Sequence, residues 1–468
     1  MSGVGSAFGA VAQSSLVTAL KRYSRSWGLW LLLLVGPIGA RFFVGRDDGS
    51  SVTIAVGNHL PVLTSAMLGV SLGIVVSTLL LPVAFLYLRA NTTRCQPWQI
   101  EEVSPASRVA ITLGRFGADM LVLFGVLAAL NLGGWLLGWL VITVEPVNFA
   151  QISFALWLVA APAVMGLAAI RQLFDALPWT RRALGDFLYL WVWLASIAVH
   201  AAAQHMPAGF ASNMYDFAGF VRPLVYGAPA GSDDFAIGGV DALPGRVSLD
   251  VMAGLLSPGY IPSRLAWAAI AVALAAFAGL LYRPHRSAKR RWYATLADRL
   301  TAQPVPPRAN PNAPPASAAR VPLLELLRAE FTLIGGGRLL LLLGLGAAIA
   351  GLAADYRHVG SAAANLWLIF ALTAHAGRTE PKGLRALTMT TALSPTLRRA
   401  AFVAAGMVWA LAMALPGALW NADAARLPLA LATGGVVALV SMALSAVSGS
   451  GFAARMLLLV VWYGYLST

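Results

Sequence analysis

The chain has 468 residues and a formal net charge of +14 at pH 7, yet only 11% of its residues are charged and 59% are hydrophobic. A soluble domain would carry charge on about a quarter of its residues, and the mean hydropathy of +0.73 excludes that class. Most of the 33 Lys and Arg residues fall on one side of the predicted membrane topology. The positive-inside rule explains this asymmetry, so we expect no nucleic-acid partner.

Six apolar segments predict transmembrane helices in the first part of the chain, residues 1–282. A helix needs about 20 predominantly apolar residues to cross the hydrocarbon core. The segments lie at 27–44, 62–88, 108–132, 149–170, 186–203 and 265–282. The glycine pair at 133–134 is expected to end the third span, and the external segment 204–263 to form short helices against the outer leaflet. The basic cluster at 21–25 places the N-terminus in the cytoplasm.

A basic and proline-rich stretch at 283–322 separates the two parts of the chain. It contains QPVPPRANPNAPP, a composition typical of an extended linker. The second part, residues 323–468, opens with an apolar helical face that runs from Leu323 to Ile334 and predicts a helix on the inner membrane surface. Five further spans are predicted at 338–354, 362–376, 400–419, 427–447 and 453–467, which makes about eleven in all.

The two parts repeat the same order of elements. Each begins with a surface helix and continues with a span out, a span back and a cytoplasmic insert that contains Ser-Pro near an Arg. Two more spans, a short basic loop and a further outward span follow in both. Order and orientation match, which predicts a parallel repeat within an all-α polytopic membrane fold. The second part stops after five spans, so we expect a homodimer or a further membrane subunit to complete the assembly.

The first insert, QPWQIEEVSPASR, places a short acidic segment between two apolar runs. Gln96-Pro97 can start a short helix in which Trp98 belongs to an apolar side and Glu101 and Glu102 form a charged one. Such a helix would lie under the membrane and offer a contact to a cytoplasmic partner. An ordinary interfacial loop anchored by the tryptophan is the alternative.

A Ser-Pro pair ends the insert in both halves. Serine caps the free amides of a first helical turn, and proline suits its first position. Ser104-Pro105 and Ser394-Pro395 therefore predict where the following spans start. The matching insert of the second half, at about 383–393, has neither tryptophan nor an acidic residue.

The pattern Pro-Trp-x-x-Glu-Glu-x-Ser-Pro-x-x-Arg, followed by LGRFGAD at 113–119, resembles the membrane subunits of type-2 ABC export permeases. The six-span first part, with an external segment before its last span, is similar to that family as well. The resemblance implies that Gln96 to Val103 dock on a cytoplasmic ATP-binding subunit and that the segment at about 383–393 docks on a second copy. It also implies that ATP and Mg²⁺ bind the partner, and that this chain holds no cofactor.

The chain itself has no sequence signature of an enzyme. A P-loop requires GxxxxGK[ST], and none of the three lysines, Lys21, Lys289 and Lys382, follows such a pattern. HExxH and the G-x-S-x-G elbow are missing too, and the six histidines have no spacing typical of a metal site. We therefore expect neither catalytic residues nor a metal in this chain, and the sequence does not identify substrate-binding residues.

Arg115 and Asp119 lie one helical turn apart near the inner end of the third predicted span. A carboxylate in the bilayer is costly unless it is paired, so the two residues predict an intramembrane ion pair. The pair is either a fixed structural contact or a latch that changes partner during transport. No further acids are predicted at membrane depth, which counts against a proton-driven pump.

The sequence thus favours the permease subunit of an ATP-driven exporter. An ion-gradient-driven secondary transporter and a non-catalytic membrane scaffold are the alternatives. Heavy use of Arg over Lys and of Ala and Gly is typical of a bacterial protein, so the expected location is the bacterial inner membrane.

Overall fold

The computed structural model divides the chain into two compact units, Met1–Ala288 and Lys289–Leu466. This division falls within the linker predicted at 283–322. The structure describes residues 2–43, 53–92, 106–177, 180, 183–229, 235–238, 243–282, 322–336, 338–353, 359–376, 394–421, 423–448 and 451–466.

Helices dominate the first unit. They are α1 (Ser2–Ser24), α2 (Trp27–Phe43), α3 (Ser65–Val75), a π-helical segment (Val76–Leu80), α4 (Leu81–Thr92), α5 (Arg108–Val141), α6 (Phe149–Ala176), α7 (Ala183–Ala203), α8 (Phe210–Asn213), α9 (Val221–Val225), α10 (Val251–Leu255) and α11 (Tyr260–Leu281). Every residue of α3 and of the π-helical segment is buried. The continuous helix formed by α3, the π-helical segment and α4 contacts α2, α6 and α7. It is therefore the core helix of this unit.

Six helical segments in the described residues are long and apolar enough to cross a membrane. They are Ser65–Ala90, Arg108–Val141, Phe149–Ala176, Tyr260–Leu281, Pro395–Trp420 and Arg426–Ser448. The protein is therefore a helical membrane protein with several spans, as the sequence predicted.

The total of eleven spans stays a prediction. Four of the predicted spans fall on the shorter apolar helices Gly28–Arg41, Leu340–Leu352, Ser361–His375 and Ala453–Trp462. The helices to which these segments belong are shorter than the roughly 20 residues typical of a transmembrane helix. A fifth predicted span, 186–203, coincides with α7.

The glycine pair at 133–134 does not end a helix, as the sequence predicted it would. Helix α5 continues through it to Val141. The two glycines instead permit close packing, because a Cβ at Gly133 would lie 3.1 Å from the Cβ of Pro37 on α2. At Gly134 a Cβ would overlap the side chain of Leu72 on α3. Because glycine has no side chain, α5 can pack closely against α2 at Gly133 and against α3 at Gly134.

A small sheet lies beside the helices and was not predicted. Its strands are β1 (Thr53–Val56), β2 (His59–Pro61), β3 (Phe235–Gly238) and β4 (Leu243–Val247), in the spatial order β3-β1-β2-β4. β1 pairs antiparallel with both β2 and β3, and β2 pairs parallel with β4. The segment 204–263, predicted as short helices alone, thus supplies two strands as well as α8, α9 and α10.

The second unit contains α12 (Pro322–Ile334), α13 (Arg338–Ala353), α14 (Ser361–His375), α15 (Pro395–Trp420), α16 (Arg426–Ser448) and α17 (Gly451–Leu466). The apolar face predicted for α12 is the face that packs, because Ile334 is buried and Phe331 stacks on Trp409 of α15 with ring centroids 4.3 Å apart. Trp367 of α14 lies in the same core and donates to the Leu340 carbonyl at 2.7 Å.

Candidate functional site

Asp119 of α5 is fully buried and forms the centre of a polar cluster. Its Oδ1 accepts a hydrogen bond from the Tyr23 hydroxyl of α1 at 2.6 Å. Its Oδ2 accepts hydrogen bonds from Arg171 Nη1 at 2.7 Å and from Gln172 Nε2 at 2.9 Å, both on α6. One carboxylate thus joins three helices.

Arg171 connects this carboxylate to a second one. Its Nη2 lies 3.1 Å from Oδ2 of Asp175, one turn further along α6. Arg115, one turn before Asp119, is 7% exposed and lies within electrostatic range of Arg171 and Asp175. The four side chains carry two positive and two negative formal charges. Such balance is what burial requires, since a buried charge without a partner is strongly destabilising.

The structure gives Asp119 an ion-pair partner that the sequence did not suggest. The predicted pair was Arg115 with Asp119, whereas Arg171 is the cation in contact with the carboxylate. The predicted end of the fourth span at residue 170 assigned Arg171 and Asp175 to a loop. That assignment is wrong, because α6 continues to Ala176. The four-residue spacing of Arg171 and Asp175 was the available signal that a helix continues there.

Tyr23 extends the cluster to the N-terminal helix. Burial, and then the neighbouring carboxylate of Asp119, raise the pKa of Tyr23 well above its ordinary value. The hydroxyl therefore keeps its proton and remains a donor at physiological pH. Ser15, two turns earlier on α1, donates to the Ile111 carbonyl at 3.0 Å. A Cβ at Gly114 would overlap the Ala12 carbonyl, so the bare glycine lets α1 lie directly on α5.

A second buried ion pair joins α4 to α7. Arg89 Nε lies 2.9 Å from Asp186 Oδ1, and both side chains are 4% exposed. Arg89 Nη2 also donates to the Thr180 carbonyl at 2.8 Å. One turn earlier, the Phe85 ring stacks on Tyr189 with a centroid distance of 3.6 Å and an interplanar angle of 8°. The end of α4 that precedes the predicted insert is therefore held by charge and by stacking.

The segment 204–263 has its own buried polar network. Asp216 is 1% exposed, and its carboxylate accepts from the backbone amides of Gly219 and Val221 at 2.8 and 2.9 Å. Arg222 Nε donates to Asn213 Oδ1 at 2.8 Å. Arg264 of α11 donates to the Phe217 carbonyl at 3.0 Å. The Asp216 carboxylate thus satisfies the amides of a buried loop.

The residues predicted to dock on an ATPase are placed by the structure only in part. Gln96, Pro97, Trp98, Glu101, Glu102, Ser104 and Pro105 lie outside the described residues. The helix after the first insert begins at Arg108 with Ser107 as its N-cap, three residues beyond the predicted Ser104 cap. In the second half, Ser394 is the N-cap of α15 and Pro395 occupies the first turn, as predicted for a helix start. Their part in docking stays a prediction.

The second unit has a polar contact between α14 and α17. Arg455 Nε donates to Thr373 Oγ1 at 2.9 Å, and the guanidinium lies 5.1 Å from the Phe370 ring centroid. Across the parts of the chain that the structure describes, no group of three or more His, Cys, Asp or Glu side chains could hold a metal ion. The buried polar groups of both units bind helices to one another.

No protein-family model matches the chain, and no curated protein sequence matches it. The buried clusters and the packing order of the helices are therefore the basis for a functional proposal.

Proposed function

We propose that the protein is the membrane subunit of an ATP-driven exporter in the bacterial inner membrane, with its N-terminus in the cytoplasm. ATP and Mg²⁺ would bind two copies of a separate cytoplasmic subunit. Substrate would cross the membrane along a path formed by this chain, completed by a second copy or by a further membrane subunit.

The observation that carries the proposal is the recurrence of one packing order in both units. In the first unit, α1 and α2 pack on α5, α5 and α3 pack on α6, and α4 packs on α7. In the second unit, α12 and α13 pack on α15, α15 and α14 pack on α16, and α14 packs on α17. The corresponding helices follow one another in the same sequence order. This agreement supports a parallel repeat, the arrangement expected of a permease with two related halves.

A polar side-chain contact between corresponding helices of the two units also supports the proposal. In the first unit, Arg89 near the end of α4 contacts Asp186 near the start of α7. In the second unit, Thr373 near the end of α14 contacts Arg455 near the start of α17. The residue types differ, but each contact joins the end of the second span of its half to the start of the fifth.

The polar cluster of the first unit would carry motion from the insert into the membrane. The insert is followed directly by α5, which begins at Arg108. Asp119 lies three turns into that helix and is bonded to Tyr23 of α1 and to Arg171 of α6. A displacement of the insert would therefore move α1, α5 and α6 together. Closure of the ATPase pair would tilt this body and open the path outward.

The ionic contacts favour this function over a proton-driven transporter. A proton-coupled carboxylate has to release and take up its proton during each cycle. Asp119, Asp175 and Asp186 each lie against an arginine at 3.1 Å or less. Each of these carboxylates is thus already in contact with an arginine, which makes the three groups suitable as fixed contacts between helices.

The proposal is tested by reversing the acidic pair of the insert, Glu101→Lys with Glu102→Lys. The chain would be reconstituted with its ATPase subunit, and ATP hydrolysis would be measured with and without the membrane chain. We expect the reversal to abolish the dependence of hydrolysis on this chain. The matched control is the double change Asp233→Lys with Asp234→Lys, an adjacent acidic pair on the predicted external side. Equal hydrolysis in wild type and in the Glu101 and Glu102 variant would contradict the docking proposal.

A further inference from the structure

The core helix of the first unit is interrupted by a π-helical turn, Val76–Leu80. The amide of Leu81 donates to the Val76 carbonyl, five residues back, instead of to the Ser77 carbonyl four residues back. Pro82 follows at once and has no amide hydrogen. Its ring would also crowd the carbonyl of Thr78 in a regular α-helix. A wider turn in front of Pro82 relieves that clash.

This arrangement leaves the Ser77 carbonyl without a donor from its own helix. Its α-helical donor, the Leu81 amide, is bonded to Val76, and its π-helical donor would be Pro82, which has no N–H. Trp193 of α7 supplies the missing hydrogen bond, with Nε1 2.9 Å from the Ser77 oxygen. The indole is 5% exposed, so water does not replace this bond easily. A side chain from a neighbouring helix thus completes the backbone bonding of the π turn.

Trp193 belongs to a row of α7 residues, Asp186, Tyr189 and Trp193, which we call the α7 stripe. The Tyr189 hydroxyl donates to the Leu81 carbonyl at 3.3 Å and the Tyr189 ring stacks on Phe85. The stripe thereby contacts the core helix at every fourth residue. These contact positions are Ser77, Leu81, Phe85 and Arg89.

The contacts of the α7 stripe can form at only one rotational position of α4 relative to α3. A π turn absorbs one extra residue, so its conversion to α-helix would rotate α4 about its axis by about 100° relative to α3. The rotation would carry Phe85 away from Tyr189 and Arg89 away from Asp186. It would also return the Leu81 amide to the Ser77 carbonyl, in place of Trp193. The α7 stripe therefore stabilises the π register against the α register.

We propose that the π turn is a register switch, which can convert between the π-helical and the α-helical register. The α7 stripe holds it in the π register. Conversion rotates α4, and this rotation is coupled to the insert that follows α4. Helix α4 ends at Thr92, four residues before the predicted docking element begins at Gln96. A twist of α4 turns the chain that leads into that element, and a force on the element acts as a torque on α4. The switch itself needs no partner, whereas its coupling to ATP rests on the proposed function.

The test measures the rotation of α4 with two spin labels. The only cysteine, Cys95, is first replaced by serine. Labels are attached at Ala90, near the end of α4, and at Val17, an exposed position on α1, and their distance distribution is measured by pulsed electron paramagnetic resonance. Trp193→Phe removes the indole donor and keeps an aromatic ring. The matched control is Trp191→Phe, a 57% exposed tryptophan two positions away on α7.

We expect Trp193→Phe to move the distance distribution by several ångström or to split it into two populations, and Trp191→Phe to leave it unchanged. Pro82→Ala, which restores an amide and removes the ring, should shift it in the same direction and decides the question if Trp193→Phe does not fold. An unshifted distribution in both Pro82→Ala and the double variant Pro82→Ala with Trp193→Phe would overturn the switch.

A second experiment tests the coupling to ATP separately from the switch itself. Wild-type labelled chain is measured with its ATPase subunit, without and with ATP. A shift towards the distribution of the double variant supports coupling of the switch to ATP. An unchanged distribution overturns that coupling, while a shift in the variants of the isolated chain would still establish the switch.

Discussion

Tyr23 and Asp119 lie 96 positions apart in the sequence, and the tyrosine hydroxyl donates to the buried carboxylate at 2.6 Å. This bond attaches the N-terminal helix α1 to the helix that follows the predicted insert. Because Asp119 also binds Arg171 of α6, the bond makes α1 part of a three-helix body.

Removing the tyrosine hydroxyl should weaken the attachment of α1. Tyr23→Phe leaves one oxygen of a buried carboxylate without its donor, and we expect a loss of about 1–3 kcal/mol in the free energy of unfolding. Denaturant unfolding in detergent measures it. Tyr226→Phe is the control, since that tyrosine is 45% exposed and outside the cluster. Equal stability of Tyr23→Phe and wild type would show that the bond does not hold the helix.

Breaking the buried ion pair should cost more than losing the hydroxyl. Arg171→Met leaves Asp119 and Asp175 without their shared cation, and we expect a loss of about 3–5 kcal/mol. Asp119→Asn alone should also destabilise the protein.

The double variant Asp119→Asn with Arg171→Met gives the coupling energy between the two residues. We expect it to be less destabilised than the sum of the single variants, because the second change removes a charge that the first left unpaired. Arg328→Met, at an exposed arginine of α12, serves as the control for loss of a guanidinium. Strict additivity would show that the two charges do not stabilise each other.

A methyl group at Gly114 should displace α1 from α5. Its Cβ would overlap the backbone carbonyl of Ala12, which cannot move aside as a flexible side chain can. Gly114→Ala should therefore destabilise the protein by about 1–3 kcal/mol and raise the rate of amide hydrogen exchange in α1. Gly125→Ala on the same helix is the matched control, because apart from the adjoining backbone of α5 no atom lies within 4 Å of that Cβ position.

At Gly125 the change should be neutral or stabilising by up to about 1 kcal/mol, since alanine favours helix. A Gly114→Ala variant with unchanged exchange in α1 would show that close backbone contact is not what holds the two helices together.

Several local features were predictable from the sequence, although α5 begins with Ser107 as its N-cap and not with the predicted Ser104. Ser394 before Pro395 predicted the start of α15 because capping involves only neighbouring residues. The apolar face of α12 was readable for the same reason, since helical periodicity fixes which side chains share a face. The long apolar runs predicted spans that the structure contains at Ser65–Ala90, Arg108–Val141 and Phe149–Ala176.

Contacts between segments far apart in the sequence could not be predicted from local patterns. Arg171 reaches Asp119 across 52 positions, and no spacing rule connects them. The sheet joins residues 53–61 to residues 235–247, which are short and do not alternate clearly in polarity. Glycines at 133–134 were interpreted as breakers because glycine disfavours helix, whereas packing against Pro37 and Leu72 overrides that preference.

The π turn also depends on a contact that the local sequence of its span does not determine. Pro82 is visible in the sequence and signals an irregular turn. Which carbonyl loses its donor, and that Trp193 replaces it, depends on how α7 packs against the core helix. Tertiary packing therefore determines how the backbone of this turn completes its hydrogen bonds.

Whether a separate ATPase drives this chain can be measured by gentle detergent purification of the tagged chain, followed by mass spectrometry and an ATP hydrolysis assay. We expect a stoichiometric partner that contains a P-loop and hydrolyses ATP at a rate that depends on this chain. A preparation that contains no such partner after mild cross-linking through residues 96–103, and that has no associated ATP hydrolysis, would contradict it.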